Sequence, residues 1–325
     1  MAEVDQSGVV QEDAELERAV SRSTVSDMTL GSNVSWLLTQ EEAASDVEDV
    51  EKDLQMLRSE ELRHECRSFC QEKQLIHVYS SATMERALPK NTTPTDTFSI
   101  LQAIVSGKTA QVGPAGDDEQ REKMRRGLVA HIHAVQFVQA NASAPLSAGF
   151  IKQVHGILFH DDPAVNPGAY RAVMANVERS GFRVHNYSAP EHISREVDAA
   201  VIRYTRTAKR TVADMVHAST RLFYDLISTH PFVDGNGRLC RLILAHCWYA
   251  FGMPFPLTLS SGHKKARSHY HNALYVAQDG RYEDTEKNLK KLRDIVLISV
   301  HWDARQCVNM YKRALEDGQV QADDA

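Results

Sequence analysis

The sequence predicts an all-α domain that is interrupted once by a short β-hairpin. Three observations support this fold class. Apolar residues recur at helical spacing in at least seven segments, one stretch after residue 161 loses that period, and no repeat of fixed length is present. Helical spacing with polar residues between the apolar ones is typical of helices that bury one face. The missing repeat argues against a solenoid.

The helices are predicted from apolar spacing together with the capping and breaking residues at their ends. An amphipathic helix is expected over 53–69, and a second helix over 98–105 follows the break at 89–95. A long helix over 119–139 precedes one that starts after Pro145. The remaining helices are expected over 191–205, 212–228, 238–251, 266–277 and 286–315.

The β-hairpin is expected over 173–187. This stretch follows a turn at Asn166-Pro167-Gly168 and has alternating character around Ser180-Gly181. Alternation on both sides of a glycine turn is typical of two antiparallel strands.

The chain divides into four predicted segments. Residues 1–45 are rich in Ser, Glu, Asp and Val without helical period, so we expect a disordered acidic tail. Residues 46–112 form an N-terminal helical region, 113–315 the helical core, and 316–325 a short tail.

Composition excludes several classes of protein. The net charge is −6 and the basic residues are scattered, so a nucleic-acid partner is not expected. The acidic N-terminus does not resemble a secretory signal, and the most apolar stretch, 239–255, is too short to cross a bilayer. Five cysteines without a disulfide-framework spacing fit a reducing compartment. We expect a cytoplasmic, non-secreted protein without membrane contact, and the nucleus stays open.

One segment, residues 230–241 with the sequence HPFVDGNGRLCR, concentrates the residues that carry chemistry. Pro231 disfavours helix at the residue before it, which places His230 at the mouth of a loop between two helices. Gly235, Asn236 and Gly237 tolerate positive φ, so their backbone N–H groups can line one concavity. Free N–H groups at the start of the next helix favour an anion.

Four side chains in this segment suit phosphate chemistry. Arg238 and Arg241 lie three apart on one helix face, from which both can reach outward to phosphate oxygens. Asp234 beside an anion site suggests a bridging Mg²⁺, which binds through one or two carboxylates plus substrate phosphates. His230 is the natural proton acceptor near neutral pH. The plain alternative is a glycine-rich turn with two surface arginines, but the helix–loop–helix context favours a site.

The segment resembles the signature of the Fic family, H-P-F-x-D/E-G-N-G-R-x-x-R, at every specified position. The resemblance extends over roughly 75–285 and includes the Gly-x-Tyr-Arg turn that ends at Tyr170-Arg171. It implies a Fic-type helical bundle in which the hairpin is the flap over the site, so that 113–315 is the Fic core.

The resemblance also implies an activity, the transfer of AMP from ATP to a protein hydroxyl. His230 would take the proton from a Ser, Thr or Tyr of the target, and Asp234 would hold Mg²⁺. Gly235, Asn236 and Gly237 would cradle the phosphates, with Arg238 at the leaving pyrophosphate and Arg241 at the γ-phosphate. The flap would pin the target by strand addition.

Many Fic proteins carry an inhibitory helix with the pattern S/T-x-x-x-E-G/N. Ser81 to Glu85 fits S-x-x-x-E, and its place before the core is where such a helix would lie. Arg86 departs from the usual Gly or Asn. The prediction is an ion pair between Glu85 and Arg241 that restrains ATP binding.

Three alternatives stay open beside an autoinhibited AMP-transferase. The same site could remove AMP, it could transfer another phosphate-containing group, or the chain could be a non-catalytic interaction protein with a Fic fold. The target protein, the nucleotide base and the oligomeric state are not fixed by the sequence.

Overall fold

The structure, a computed structural model, describes residues 38–85, 88, 94–105, 118–179, 183–259, 264–278 and 285–316. Helices make up most of it, and they are joined by short connections. The helices are α1 (Gln40–Leu57), α2 (Glu60–Glu65), α3 (Arg67–Met84), α4 (Pro94–Val105), α5 (Asp118–Ala140), α6 (Ala148–Leu158), α7 (Pro190–Arg206), α8 (Val212–Thr229), α9 (Asn236–Phe251), α10 (Lys264–Ala277), α11 (Thr285–Asn288) and α12 (Lys290–Glu316).

The predicted hairpin is present and lies between α6 and α7. Strands β1 (Asn176–Arg179) and β2 (Arg183–Asn186) pair antiparallel, with Val177 opposite His185. They form the two-stranded sheet of the described residues. The predicted fold class, all-α with one short β-hairpin, is confirmed.

The N-terminal boundary of the fold differs from the prediction. We expected a disordered tail over 1–45, but α1 begins at Gln40. Thr39 and Glu42 form a capping box in which the Thr39 hydroxyl accepts from the Glu42 N–H at 3.1 Å and the Glu42 carboxylate accepts from the Thr39 N–H at 2.8 Å. Two donors that the helix cannot satisfy itself are thereby paired, so the helix starts earlier. Residues 1–37 lie outside the described part.

The single helix predicted over 53–69 is wrong. The chain ends α1 at Leu57, restarts at the N-cap Ser59, and turns again at Cys66 before α3. Ser59 accepts a hydrogen bond from the Leu62 N–H at 3.3 Å. The break has no glycine or proline to announce it, which is why apolar spacing alone missed it. The helix predicted over 286–315 is likewise divided, between α11 and α12.

The packing of α3 and α9 positions the site. Helix α9 is buried over most of its length and packs against α8, α5 and α6. Helix α3, from the N-terminal region, packs against α5 and also reaches α9. Buried side chains of the predicted N-terminal region and core belong to one continuous hydrophobic cluster. The two predicted segments therefore share a core, while the boundary at 112/113 lies outside the described residues.

Two features are absent from the described residues. No helix there combines the length and apolarity needed to cross a bilayer. No group of three or more His, Cys, Asp or Glu side chains there could hold a metal ion, and this includes the neighbourhood of Cys66 and Cys70.

Candidate active site

His230 occupies the first position of the loop between α8 and α9. It caps α8 in the left-handed conformation, with φ 52° and ψ 60°, and its N–H donates to the Leu226 carbonyl at 3.0 Å. A left-handed non-glycine residue is uncommon. The following Pro231 cannot continue the helix, so the chain turns here and directs the imidazole away from the α8 axis.

The environment of His230 favours a neutral imidazole. Burial lowers the pKa of His230 to about 4, aided by the nearby Arg171 guanidinium and opposed by the Ile227 carbonyl and by Glu85 and Asp234. A neutral imidazole has a free lone pair near neutral pH and can accept a proton. Burial thus keeps the imidazole deprotonated near neutral pH, the form that a general base requires.

Arg171 fixes the backbone on both sides of His230. Its Nε donates to the His230 carbonyl at 2.7 Å, and Nη2 donates to the Thr229 carbonyl at 3.3 Å. Its backbone N–H donates to the Pro231 carbonyl at 2.9 Å. Two further side-chain bonds reach the ends of the flap, to the carbonyls of Val173 at 2.6 Å and Ser188 at 2.5 Å. The buried guanidinium therefore ties the flap to the loop that carries His230.

The N-terminus of α9 is a tight turn built on Gly235. Gly235 has φ 74°, and a Cβ at this position would overlap the ring of Phe159. We expected positive φ at Asn236 and Gly237 also, but among these three residues only Gly235 adopts it, since the other two already lie in the helix. The side chain of Asn236 instead clamps Phe232, accepting from its N–H at 3.0 Å and donating to its carbonyl at 2.8 Å.

Asp234 lies at the mouth of this turn with its side chain 62% exposed. One carboxylate oxygen accepts from the Gly235 N–H at 2.5 Å, and the other lies 3.4 Å from Nη2 of Arg238. Arg238 in turn lies over the ring of Phe159, 4.7 Å from its centroid. One exposed carboxylate beside an anion site suits a metal held mainly by phosphate oxygens.

Arg241 points inward, against our expectation that both arginines reach outward. It is 2% exposed because α3 covers it. Its Nε donates to Ser81 Oγ at 2.8 Å, and its Nη2 donates to the Ser81 carbonyl at 3.0 Å and to Glu85 Oε1 at 2.8 Å. The two residues singled out on α3 and the second arginine of the motif thus lie together in the structure.

The Glu85 carboxylate lies against the first turn of α9, where the sequence predicts an anion site. Oε1 lies so close to Gly237 that a Cβ there would overlap it, and Nη1 of Arg241 lies next to the same glycine. Burial opposes ionisation of Glu85, but Arg241 and Arg238 outweigh it and lower the pKa of the carboxyl. Glu85 is therefore ionised at neutral pH. Arg86, which departs from the inhibitory pattern, lies outside the described residues.

Comparison with known proteins agrees with this site. A model of the Fic/DOC family matches residues 145–247, which include the whole 230–241 segment and Arg171. A Fido domain-containing protein of Dictyostelium discoideum is 28% identical over 115 residues, which are 35% of this chain and 76% of that protein. The chain is a Fic-domain protein.

Another relative of this Fic-domain protein is much longer than the region it shares. It is the protein adenylyltransferase fic-1 of Caenorhabditis briggsae, 30% identical over 92 residues, and the match covers 28% of this chain and only 17% of that protein.

Solved structures of Fic proteins share the fold. A Fic domain-containing signaling protein from Bacteroides thetaiotaomicron superposes with a TM-score of 0.63 at 20% identity, covering 81% of this chain and 97% of that one. Residues 134–508 of Fic-1 from Caenorhabditis elegans give a TM-score of 0.61 at 20% identity, covering 84% of this chain and 74% of that one. At such identities the likeness concerns architecture.

The sequence reasoning missed the structural role of two residues that hold the Fic site together. His155 is fully buried, stacks on Phe232 with ring centroids 3.8 Å apart, accepts from the Gly168 N–H at 2.9 Å through Nδ1, and donates through Nε2 to the Asp234 carbonyl at 3.1 Å. A histidine in an apolar helix stripe looks like an ordinary core residue, so no local signal marked it. Arg171 was visible in the Gly-x-Tyr-Arg turn, but its role as a clamp was not.

Proposed function

We propose that this chain is a protein adenylyltransferase that moves AMP from ATP to a Ser, Thr or Tyr hydroxyl of a target protein and is restrained by Glu85. One observation carries the proposal. A neutral imidazole lies on the same short loop as an anion site that is formed by the start of α9, Arg238 and Arg241. A base beside a phosphate site is the arrangement that hydroxyl attack on a phosphate ester requires.

The chemistry divides among the residues of the loop. His230 takes the proton from the target hydroxyl, and that oxygen attacks the α-phosphorus of ATP. The bond to the bridging oxygen breaks, pyrophosphate leaves with its electron pair, and AMP stays on the target oxygen. The backbone at Gly235, Asn236 and Gly237 and the Arg238 guanidinium stabilise the charge on the phosphates. Positioning and charge stabilisation account for most of the rate in such transfers.

Asp234 is the residue that would hold Mg²⁺. When bound, Mg²⁺ neutralises charge on the phosphate oxygens. The described residues contain no cage of several acidic ligands. A magnesium site that depends on ATP for most of its ligands fits the single exposed carboxylate of Asp234.

Glu85 supports restraint of this activity. The carboxylate lies against Gly237 and neutralises Arg241, the residue proposed to hold the γ-phosphate. A triphosphate that bound against Gly237 and Arg241 would have to displace the Glu85 carboxylate. Removing that charge frees the anion site without altering the loop that carries His230.

The flap supports a protein target. Its exposed side chains include Val173 at 63% and Val184 at 54%. A two-stranded sheet has free backbone edges that can pair with an extended segment. Arg171 connects the flap to the His230 carbonyl, so an added strand would run beside the base.

The test uses ATP labelled at the α- or the γ-phosphate, with Mg²⁺. Glu85→Gly should raise transfer of the α-label to itself or to lysate proteins by about tenfold, the equivalent of one charge-assisted hydrogen bond. The same change at an exposed glutamate of α2, Glu60→Gly, is the matched control and should leave the signal unchanged. His230→Ala in the Glu85→Gly background should abolish it.

Other outcomes identify the alternatives. Transfer of the γ-label would indicate a kinase. Release of AMP from a pre-labelled target, lost in Glu85→Gly, would indicate de-AMPylation with Glu85 orienting water. If neither label is transferred in the Glu85→Gly protein, the adenylyltransferase proposal is wrong and an interaction protein is favoured.

A further inference from the structure

The imidazole of His230 has a partner that the motif does not contain. Tyr187, directly after β2, stacks on it with ring centroids 3.9 Å apart and planes inclined by 18°. Both side chains are half-buried at the cleft rather than part of the hydrophobic core. A close parallel stack between two partly exposed rings indicates that one of them constrains the other.

Tyr187 is held in place independently of His230. Its N–H donates to the Ala175 carbonyl at 3.0 Å, which closes the base of the hairpin. The carbonyl of the next residue, Ser188, accepts from Nη2 of Arg171 at 2.5 Å. Its ring also meets His185 edge-on, with centroids 5.0 Å apart. The tyrosine ring is thus a fixed surface at the end of the flap.

The main chain of His230 is equally fixed, by Leu226 on one side and Arg171 on the other. The Ile227 carbonyl lies near the imidazole, but Nδ1 of His230 has no hydrogen-bond partner among the described residues, so the ring can still rotate about its side-chain bonds. A planar ring 3.9 Å away restricts that rotation, because turning the imidazole out of parallel would bring its edge into the tyrosine face.

We propose that Tyr187 is a positioning residue for His230, setting the plane of the imidazole through ring stacking before the target hydroxyl arrives. The inference rests on the proposed function for its effect on rate. The hydroxyl of Tyr187 has no part in the proposal, so any planar ring of similar size should serve.

The test compares variants in the Glu85→Gly background. Tyr187→Phe keeps the ring and should transfer the α-label within about twofold of the background. Tyr187→Leu keeps apolar bulk without a plane and should lower kcat about tenfold while KM for ATP is unchanged, because orientation affects the chemical step. The kcat of Tyr187→Trp should exceed that of Tyr187→Leu, because tryptophan also offers a planar ring. Tyr224→Leu, the same change at a half-buried tyrosine of α8, should have no such effect.

A second measurement needs no transfer activity. Diethyl pyrocarbonate modifies neutral imidazoles, and peptide masses report the modification rate of His230 alone. Tyr187→Phe should react as slowly as the wild type and Tyr187→Leu several-fold faster, since one ring face is uncovered and the ring can turn.

Equal modification rates for Tyr187→Leu and Tyr187→Phe would overturn the positioning role, as would equal kcat values. A Tyr187→Leu protein whose loss appears in KM for ATP instead of kcat would also overturn it. Absence of label transfer in the Glu85→Gly background itself would count against the adenylyltransferase proposal, while the modification rates would still decide the role of Tyr187.

Discussion

At the scale of single residues, the loop depends on side chains that bond to backbone rather than to substrate. Asn236 is 2% exposed and satisfies both the N–H and the carbonyl of Phe232. The sequence Gly-Asn-Gly suggests a flexible turn, yet the side chain of its central residue makes two buried hydrogen bonds. The asparagine thereby gives the turn its shape.

Asn236→Ala should lower the free energy of unfolding by about 2 kcal/mol, because two buried backbone groups lose their partners. Label transfer should fall as well, since the loop loses its clamp. Denaturant titration provides the first number and the α-label assay the second.

Asn141→Ala is a matched comparison away from the site. The amide of Asn141 makes a single bond, donating to the Phe137 carbonyl at 2.8 Å. We expect a smaller loss of stability and unchanged transfer. Similar losses of label transfer in Asn236→Ala and Asn141→Ala would contradict the claim that Asn236 holds the loop in shape.

At the scale of elements, α3 presents a polar stripe to the core. Lys73, His77 and Ser81 follow one another at intervals of four residues, which places these buried side chains on one face of α3, and the C-cap residue Glu85 continues the series at the end of the helix. Lys73 pairs with Asp303 of α12, His77 donates to the Leu257 carbonyl at 3.0 Å, and Ser81 and Glu85 meet Arg241. Each bond has one geometry, so together they fix the rotation and axial position of α3.

Removing one charge of the Lys73–Asp303 pair should lower the free energy of unfolding more than replacing both residues by apolar ones. Its side chains are 3% and 2% exposed, so Asp303→Asn leaves a buried ammonium with a weaker partner and should reduce the free energy of unfolding by about 3 kcal/mol. Lys73→Met combined with Asp303→Leu removes both charges and should lose less. Denaturant titration measures both.

An exposed ion pair is the control for this prediction. Arg125 and Glu122 lie 2.7 Å apart on the surface of α5, and Glu122→Gln should leave stability unchanged. If the Lys73→Met, Asp303→Leu variant is less stable than Asp303→Asn, the ion pair contributes net stability and the prediction is wrong.

At the scale of the whole molecule, buried histidines link stability to pH. Burial lowers the pKa of His77 to about 4 and that of His131 well below its ordinary value. The unfolded chain takes up these protons near pH 6.5 while the folded chain stays neutral. Stability is therefore full above about pH 6.5 and is lost as pH falls toward 4.

For His77 alone, the loss between pH 7 and pH 5 should be about 2 kcal/mol. His77→Phe should be less stable at pH 7, because Leu257 loses its donor, but its stability should depend less steeply on pH. Unfolding titrations at several pH values measure the slope. An unchanged slope in His77→Phe would contradict a neutral, buried His77.

The sequence could predict features formed by neighbouring residues but not contacts between residues far apart in the chain. The 230–241 segment was readable because its residues are adjacent, and α5 to α9 because their apolar period is strong. The polar stripe of α3 looks like a solvated face until α9 and α12 are placed against it. Arg241 looks exposed for the same reason, since its cover lies 160 residues away. Contacts between distant stretches escape any local pattern.

Arg171 shows how widely the site is distributed along the chain. Its side chain serves four carbonyls, at Val173, Ser188, Thr229 and His230, and its backbone serves a fifth at Pro231. A lysine has neither the planar fork nor enough donors to repeat this. Transplanting the twelve residues 230–241 into another helical scaffold would therefore carry over the reactive groups without their alignment. The smallest portable unit therefore runs from α6, whose His155 bonds to the Asp234 carbonyl, through the start of α9.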